Sequence, residues 1–137
     1  MKNILVLCTG NSCRSQMAHG YLEHFLKDKA QIFSAGVVTH GLNILAVKFM
    51  KEDGIDISNH TSNLIDDYMD IQFDLILTVC DHANETCPYF PSTAQKLHKN
   101  FEDPSKFIGD EEATAAKFRM VRDQIKNYCQ KLAQHLN

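Results

Sequence analysis

The chain has 137 residues, the length of one ordinary folding domain. Hydrophobic residues make up 44% of it and charged residues 23%, with 6 glycines and 3 prolines, so the composition excludes disordered, collagen-like and repeat proteins. The 17 acidic and 14 basic residues give a net charge of −3, which favours neither a nucleic-acid-binding nor an anionic-membrane-binding protein.

The N-terminus and the cysteines predict a cytoplasmic protein. The first apolar run, residues 4–7, is far shorter than a signal-peptide core or a membrane span. In a reducing compartment, the five cysteines are more often catalytic, redox-active, metal-binding or buried than joined in permanent disulfides.

Short apolar runs alternate along the chain with longer helical patterns. The runs predict strands at residues 3–7, 31–35, 74–79 and, weakly, 96–98. The helical patterns begin at Ser15 as N-cap, run from about Asn43 to Gly54, and extend from Glu111 to Leu136. Strands separated by helices favour an α/β fold, which we predict as a single domain over residues 1–137 with a four-stranded parallel sheet flanked by helices.

Three reactive side chains follow predicted strands. Cys8 follows the first strand, Cys80 the third and Asp103 the fourth. Ligands of parallel α/β sheets lie outside the carboxyl ends of the strands, so these three side chains are expected to meet at one edge of the sheet if the first and third strands are neighbours.

The polar segment after the first strand predicts an anion-binding loop. Five residues separate Cys8 from Arg14, and a helix begins directly afterwards. Backbone N–H groups of such a loop and the helix N-terminus attract a tetrahedral oxyanion, lower the pKa of Cys8, and leave Arg14 to grip two anion oxygens. The remaining candidate substrate-binding residues are Thr9, Gly10, Asn11, Ser12, Cys13 and Ser15.

Individual residues of this loop have different expected roles. Gly10 and Asn11 tolerate a positive φ, and Ser15 can donate a hydrogen bond to the Cys8 thiolate. The loop lacks the lysine and glycine spacing of a nucleotide-binding P-loop. The alternative is a strand, turn and helix in which Cys8 is only buried, as we expect for Cys13 and Cys129.

The histidines give weak signals singly. His19, His24 and His135 are expected on helix surfaces, whereas His40 and His60 are expected to bind loop backbone.

Several segments together resemble one known family. Residues 8–15 resemble the signature of the low molecular weight protein tyrosine phosphatase fold. More narrowly, the chain resembles thioredoxin-coupled arsenate reductases in CTGNSCRSQMA at 8–18, SAG at 34–36, THGLN at 39–43, GIDISNHTS at 54–62, VRD at 121–123, and the pair Cys80 and Cys87. The resemblance spans nearly the whole chain.

The resemblance implies an arsenate reductase of arsenical resistance that works through the redox-active thiols Cys8, Cys80 and Cys87. Arsenate is then reduced to arsenite, and thioredoxin regenerates the thiols without a bound cofactor. The pair Cys80 and Cys87 lies on one polar segment, where backbone rearrangement costs little. Two alternatives for the pair are incidental thiols and a zinc site that also uses His82 and His98.

Asp103 precedes Pro104, which favours an extended backbone and can aim the carboxyl at the anion loop. The resemblance assigns the general acid to Asp103. In tyrosine phosphatases of this fold an aromatic residue usually follows the Asp-Pro pair, whereas here Ser105 follows it. The alternative is an Asp-Pro turn without a catalytic role.

Some of the resembling reductases bind potassium, and the matching positions here are Asn11, His19, Ser34 and Asn63. Two of the usual carboxylates are absent, and nitrogen is a poor ligand for a hard cation. The sequence therefore predicts no metal site.

Two other functions remain open. One is phosphomonoester hydrolysis by Cys8, Arg14 and Asp103, and the other is a thiol protein that binds arsenite or zinc without turnover. In every case the expected ligands are tetrahedral oxyanions or thiol-binding species, and the chain is expected to be a monomer.

Overall fold

The computed structural model describes residues 1–80 and 93–136. Its strands are β1 (Lys2–Cys8), β2 (Ala30–Gly36), β3 (Leu75–Thr78) and β4 (Gln95–His98). Its helices are α1 (Arg14–Phe25), α2 (Ile44–Glu52) and α3 (Glu111–Leu136), with short 3-10 helices at Ile65–Tyr68 and Pro104–Lys106.

The four strands form one parallel sheet in the order β2-β1-β3-β4. Residues 4–8 of β1 and all of β3 are buried, as expected of central parallel strands covered on both faces. β4 lies at the edge and is mostly exposed. The predicted α/β fold is confirmed, and each predicted strand lies within two residues of its observed bounds.

The helices pack through the apolar faces that the sequence indicates. α1 packs against β1, β2 and α3, and α2 packs against α3. The inward side chains of α3 are buried, among them Phe118, Val121, Ile125, Cys129 and Leu132. Within the described parts of the chain, no helix combines the length and apolarity needed to cross a bilayer.

The ends of α2 follow the expected chemistry, whereas the start of α1 does not. Asn43 is the N-cap of α2 and accepts a hydrogen bond from the Ala46 N–H at 3.0 Å. Gly54 follows α2 with φ +81°. The predicted N-cap Ser15 is wrong: α1 begins at Arg14, after Cys13, and Ser15 lies inside the first turn.

Candidate functional site

Cys8 and Cys80 lie at the same edge of the sheet, because β1 and β3 are parallel neighbours. Pairing continues past the strands, where the Val79 N–H donates to the Leu7 carbonyl at 2.9 Å. Both thiols are buried, with exposed fractions of 4% and 3%. The Thr9 hydroxyl lies 3.2 Å from the Cys80 sulfur.

A hydrogen bond joins the side chains of Cys8 and Cys80. This bond, followed by burial, raises the pKa of the Cys8 thiol above its ordinary value, while Arg14 and the Thr9 N–H act in the opposite direction. The expectation of a lowered Cys8 pKa is therefore wrong for this arrangement. The loop and Arg14, which lower the Cys8 pKa, can be recognised in the sequence, whereas the contact between Cys8 and Cys80 is visible only in the folded structure.

The backbone of residues 9–12 turns its carbonyl groups away from the cavity beside Cys8. The surrounding protein holds these oxygens: Thr9 accepts from the Val38 N–H at 3.1 Å, Gly10 from the His40 N–H at 3.1 Å, and Ser12 from the Asn43 N–H at 3.0 Å. In a planar trans peptide the N–H points opposite to the C=O. The N–H groups that follow these carbonyls are consequently left to face an anion.

The buried side chain of Asn11 stabilises the loop by hydrogen bonds. It has φ +46°, and its buried Oδ1 accepts hydrogen bonds from the Ser15 hydroxyl at 2.8 Å and the Gln16 amide at 3.2 Å. Its Nδ2 donates to the Ser34 carbonyl at 3.1 Å. The expected positive φ of Asn11 is confirmed, but Ser15 donates to Asn11 rather than to Cys8.

Gly10 does not have a positive φ, and it lies close against the side chain of His40. A Cβ atom at this position would collide with the imidazole ring of His40. The close approach brings His40, which the sequence reading had not placed in the site, beside the loop.

Arg14 and Asp103 face each other across the loop. Arg14 Nη1 donates to the Phe101 carbonyl at 2.9 Å, and its Nη2 lies 3.6 Å from Asp103 Oδ2. The other carboxylate oxygen, Oδ1, accepts from the Ser105 N–H at 3.0 Å and from its hydroxyl at 2.6 Å. The serine that replaces the usual aromatic residue therefore fixes the orientation of Asp103.

These groups surround a cavity of about 140 Å³. Its lining contains nearly all the predicted anion-loop residues together with Asp103 and three residues that the sequence reading left out. The lining residues are Cys8, Thr9, Gly10, Ser12, Cys13, Arg14, His40, Asp103, Ser105 and Lys106. The THGLN segment could have pointed to His40, whereas no local signal pointed to Lys106.

The remaining cysteines differ from the pair Cys8 and Cys80 in environment. Burial, with a smaller contribution from the Asp103 charge, raises the pKa of Cys13 to about 12, so this thiol stays protonated. Cys129 is fully buried in α3, as predicted. Cys87 lies outside the described residues.

His19 and His60 differ from expectation. Their rings lie 4.2 Å apart between centroids, and both side chains contact Glu23. Hydrogen bonds from His19 and His60 lower the pKa of Glu23 to about 2, and burial lowers the pKa of His19. His19 is thus not a surface residue, and His60 binds side chains rather than loop backbone. The spacing of His19 and Glu23 by one helical turn was the available signal.

The positions that match potassium ligands do not fit that ion. Asn11 Oδ1 is already shared by two donors, and His19 Nδ1 lies 2.7 Å from the Ser34 hydroxyl. The Thr61 hydroxyl donates to Asn63 Oδ1 at 2.7 Å. Potassium prefers a cage of free oxygens, and these groups offer nitrogen or engaged oxygens instead.

Comparisons with known proteins show the family to which the chain belongs. The family described as low molecular weight phosphotyrosine protein phosphatase matches residues 3–137. An arsenate reductase of Halalkalibacterium halodurans is 50% identical over 124 residues, covering 90% of this chain and 89% of the relative. An arsenate reductase of Bacillus subtilis is 47% identical over 133 residues, covering 97% and 96%.

Solved structures of arsenate reductases have the same fold as this chain. An arsenate reductase in the phosphate binding state superposes with a TM-score of 0.80 at 28% identity, covering 100% of both chains. The fold and the anion loop define a low molecular weight phosphatase-type protein. Within the low molecular weight phosphotyrosine protein phosphatase family, the chain belongs to the group of the arsenate reductases.

Proposed function

We propose that this chain reduces arsenate to arsenite and takes the two electrons from its own thiols. The observation that carries the proposal is that two buried thiols, Cys8 and Cys80, follow the paired strands β1 and β3 to the same edge of the sheet, beside the anion loop. A hydrolase of phosphate esters needs one nucleophilic thiol at this position. A reductase needs a second thiol within reach of the first.

The first step joins arsenic to Cys8. Arsenate binds to the loop N–H groups and to Arg14; the Cys8 thiol passes its proton to an arsenate oxygen, and the resulting thiolate attacks arsenic. A bond forms between sulfur and arsenic, and one arsenic–oxygen bond breaks. Asp103 donates a proton to the departing oxygen, which leaves as water.

The second step moves the electrons. The Cys80 thiolate attacks the Cys8 sulfur, so that a Cys8–Cys80 disulfide forms and the sulfur–arsenic bond breaks. The electron pair of that bond stays on arsenic, which passes from As(V) to As(III) and leaves as arsenite. Two thiolates are oxidised and one arsenic centre is reduced, so the electrons balance.

The third step regenerates the nucleophile. Cys87 attacks Cys80, which frees Cys8 and leaves a Cys80–Cys87 disulfide. An external dithiol of the thioredoxin type then reduces this disulfide by thiol exchange.

Phosphomonoester hydrolysis is the second candidate. The contact of Arg14 with Asp103 favours it, because an anion clamp and a general acid beside a thiol suffice for that reaction. It would use Cys8, Arg14 and Asp103 and leave Cys80 unused.

A coupled assay with arsenate, thioredoxin, thioredoxin reductase and NADPH tests the proposal. Arsenate-dependent NADPH oxidation is expected for the wild type and none for Cys8→Ser, because a serine hydroxyl does not ionise here and cannot form a disulfide. Cys87→Ser should complete about one turnover and stop as the Cys8–Cys80 disulfide, which mass spectrometry identifies.

The matched control is Cys129→Ala, which removes a buried thiol outside the cavity and should keep its turnover. Cys80→Ser and Cys87→Ser should both retain hydrolysis of a small aryl phosphate. Normal thioredoxin-dependent turnover by both variants would contradict the thiol sequence. Aryl phosphate hydrolysis by the wild type without any arsenate reduction would favour the second candidate.

A further inference from the structure

Three side chains of metal-ligating type, two on α1 and one on a neighbouring loop, lie close together. His19 and Glu23 stand one helical turn apart, and His60 reaches the same point from the loop that follows α2. His60 Nε2 lies 3.0 Å from Glu23 Oε1, and His19 Nε2 lies 3.6 Å from Glu23 Oε2. The three ligand atoms fall within 4.8 Å of one another.

Gln16 fixes which nitrogen of His60 faces Glu23. The Gln16 amide nitrogen lies 3.1 Å from the Asn11 carbonyl and 3.0 Å from the Thr61 carbonyl, both of which only accept hydrogen bonds. Gln16 Oε1 therefore faces His60 Nδ1, at 3.0 Å, and this nitrogen must carry a hydrogen. In the neutral ring, His60 Nε2 then presents its lone pair toward Glu23.

The contact of 3.0 Å between His60 Nε2 and Glu23 Oε1 suits either a hydrogen on that nitrogen or a metal ion bound to both atoms. A hydrogen joins one histidine to Glu23, whereas a metal ion can bind both histidines at once. His19 has the matching outer contact, since its Nδ1 lies 2.7 Å from the Ser34 hydroxyl. Histidine ligands of metals commonly bind a second polar group through their other ring nitrogen.

The spacing suits a small tetrahedral ion. Zinc bonds of about 2.0–2.1 Å at the tetrahedral angle place neighbouring ligand atoms roughly 3.3–3.5 Å apart. The observed separations lie on either side of that value, at 3.0 Å from His60 Nε2 to one Glu23 carboxylate oxygen and 3.6 Å from His19 Nε2 to the other. Two imidazoles and one carboxylate are ligands that zinc accepts and that potassium, calcium and magnesium disfavour.

We propose that His19, Glu23 and His60 bind a divalent transition ion of the zinc type. Glu23 is 51% exposed, so the ion can enter from solvent and a water molecule can supply the fourth ligand. Of the positions that match potassium ligands, this site uses only His19. Gln16 connects it to Asn11, and bound zinc therefore also holds the anion loop in place.

Cobalt titration of the full chain tests the proposal, because Co²⁺ takes zinc sites and reports its ligands by absorption. One equivalent is expected to give the visible bands of a four-coordinate ion, and zinc should displace it. His60→Gln and Glu23→Gln should each weaken binding at least about tenfold. His24→Gln, on the same helix but outside the cluster, should bind normally.

A triple variant with Cys8, Cys80 and Cys87 changed to serine separates this site from the thiols. The visible bands should persist in it and should lack a thiolate-to-cobalt charge-transfer band. Zinc should also raise the melting temperature of this variant, but not when His60→Gln is added. Loss of the bands in the triple variant, unchanged affinity in His60→Gln, or no bands in the wild type would each overturn the proposal. None of these outcomes depends on arsenate reduction.

Discussion

The protein around Cys8 has two opposing effects on the ionisation of its thiol. Arg14 and the Thr9 N–H favour the thiolate, whereas the hydrogen bond to Cys80 and burial favour the thiol. The balance makes the resting Cys8 less ionised than its loop alone would allow. Once the second thiol gives up its hydrogen bond to Cys8, the loop and Arg14 act on the nucleophile with less opposition.

Cys80→Ala should therefore lower the pKa of Cys8. The reason is that the substitution removes the largest contribution that raises it, and Arg14 remains. The measurement is the pH profile of Cys8 alkylation, followed by fragment mass spectrometry, which should shift to lower pH than in the wild type. Cys13, with a pKa of about 12, serves as the slow internal reference. A profile that stays in place or moves to higher pH would show that Cys80 does not restrain Cys8.

Arg14→Lys should abolish most anion chemistry while leaving the fold intact. The planar guanidinium bonds the Phe101 carbonyl and faces Asp103 at the same time, whereas an ammonium is a point charge. We expect kcat/KM for arsenate to fall by about 10²-fold or more. Arg119→Lys, on the exposed surface of α3, is the control and should leave turnover unchanged. Near-normal kinetics for Arg14→Lys would exclude a planar clamp.

At the level of elements, Glu52 ties the end of α2 to α3. Its carboxylate accepts two hydrogen bonds from Arg119, both at 2.9 Å, and one from Arg122 at 2.7 Å. Arg122 is itself buried and also donates to the Phe49 carbonyl at 3.0 Å. The two helices are thus joined by charge as well as by apolar packing, such as that of Phe49 on Phe118.

Glu52→Gln should lower the melting temperature modestly and change its pH dependence. The hydrogen bonds from Arg119, then Arg122, lower the pKa of Glu52 from 4.5 to about 2. Glu52 therefore stabilises the fold above pH 4.5, and this contribution is lost as the pH falls toward 2.

Circular dichroism melts across this pH range provide the measurement for Glu52. The difference between wild type and Glu52→Gln should be largest above pH 4.5 and should shrink toward pH 2 and in high salt. Asp70→Asn, at an exposed carboxylate outside this network, is the control. A difference that grows on acidification would contradict the stated direction.

For the whole molecule, exchanging sodium for potassium at equal ionic strength should change neither the melting temperature nor turnover. Groups at the four matching positions are hydrogen-bonded to one another: the Asn11 amide nitrogen donates to the Ser34 and Asn63 carbonyls, and His19 Nδ1 contacts the Ser34 hydroxyl. Differential scanning calorimetry in matched chloride salts gives the comparison. A potassium-specific rise in melting temperature would show that other oxygens complete a cage.

Local pattern and topology were enough to predict the sheet. The apolar runs at β1 and β3 specify buried parallel strands, and their adjacency brings Cys8 and Cys80 to one edge. The amphipathic period of α3 likewise predicted its buried side chains. The strands and the helix depend on residues close together in the chain, whereas the adjacency of β1 and β3 is a property of the strand order.

Contacts between distant segments were beyond local pattern. The hydrogen bond of Cys8 to Cys80 reverses the predicted direction of the Cys8 pKa. Ser15 donates to Asn11 instead of Cys8, because the loop folds back and places Asn11 beside it. His60 contacts side chains instead of loop backbone, because Gln16 and Glu23 of α1 lie within hydrogen-bond distance of its ring. Each error concerns a polar group with several partners within reach, and only the folded geometry selects among them.

The outward carbonyls of residues 9–12 have a consequence for selectivity. A cup made of backbone N–H groups reads the shape and charge of an anion, and phosphate and arsenate share both. Cellular phosphate should accordingly compete with arsenate for the backbone N–H groups. The two anions are then distinguished by their reactivity with thiols and not by their affinity. Thiols reduce As(V) but not P(V), so bound phosphate can only leave again, and phosphate is expected to be a reversible competitive inhibitor of the proposed arsenate reduction.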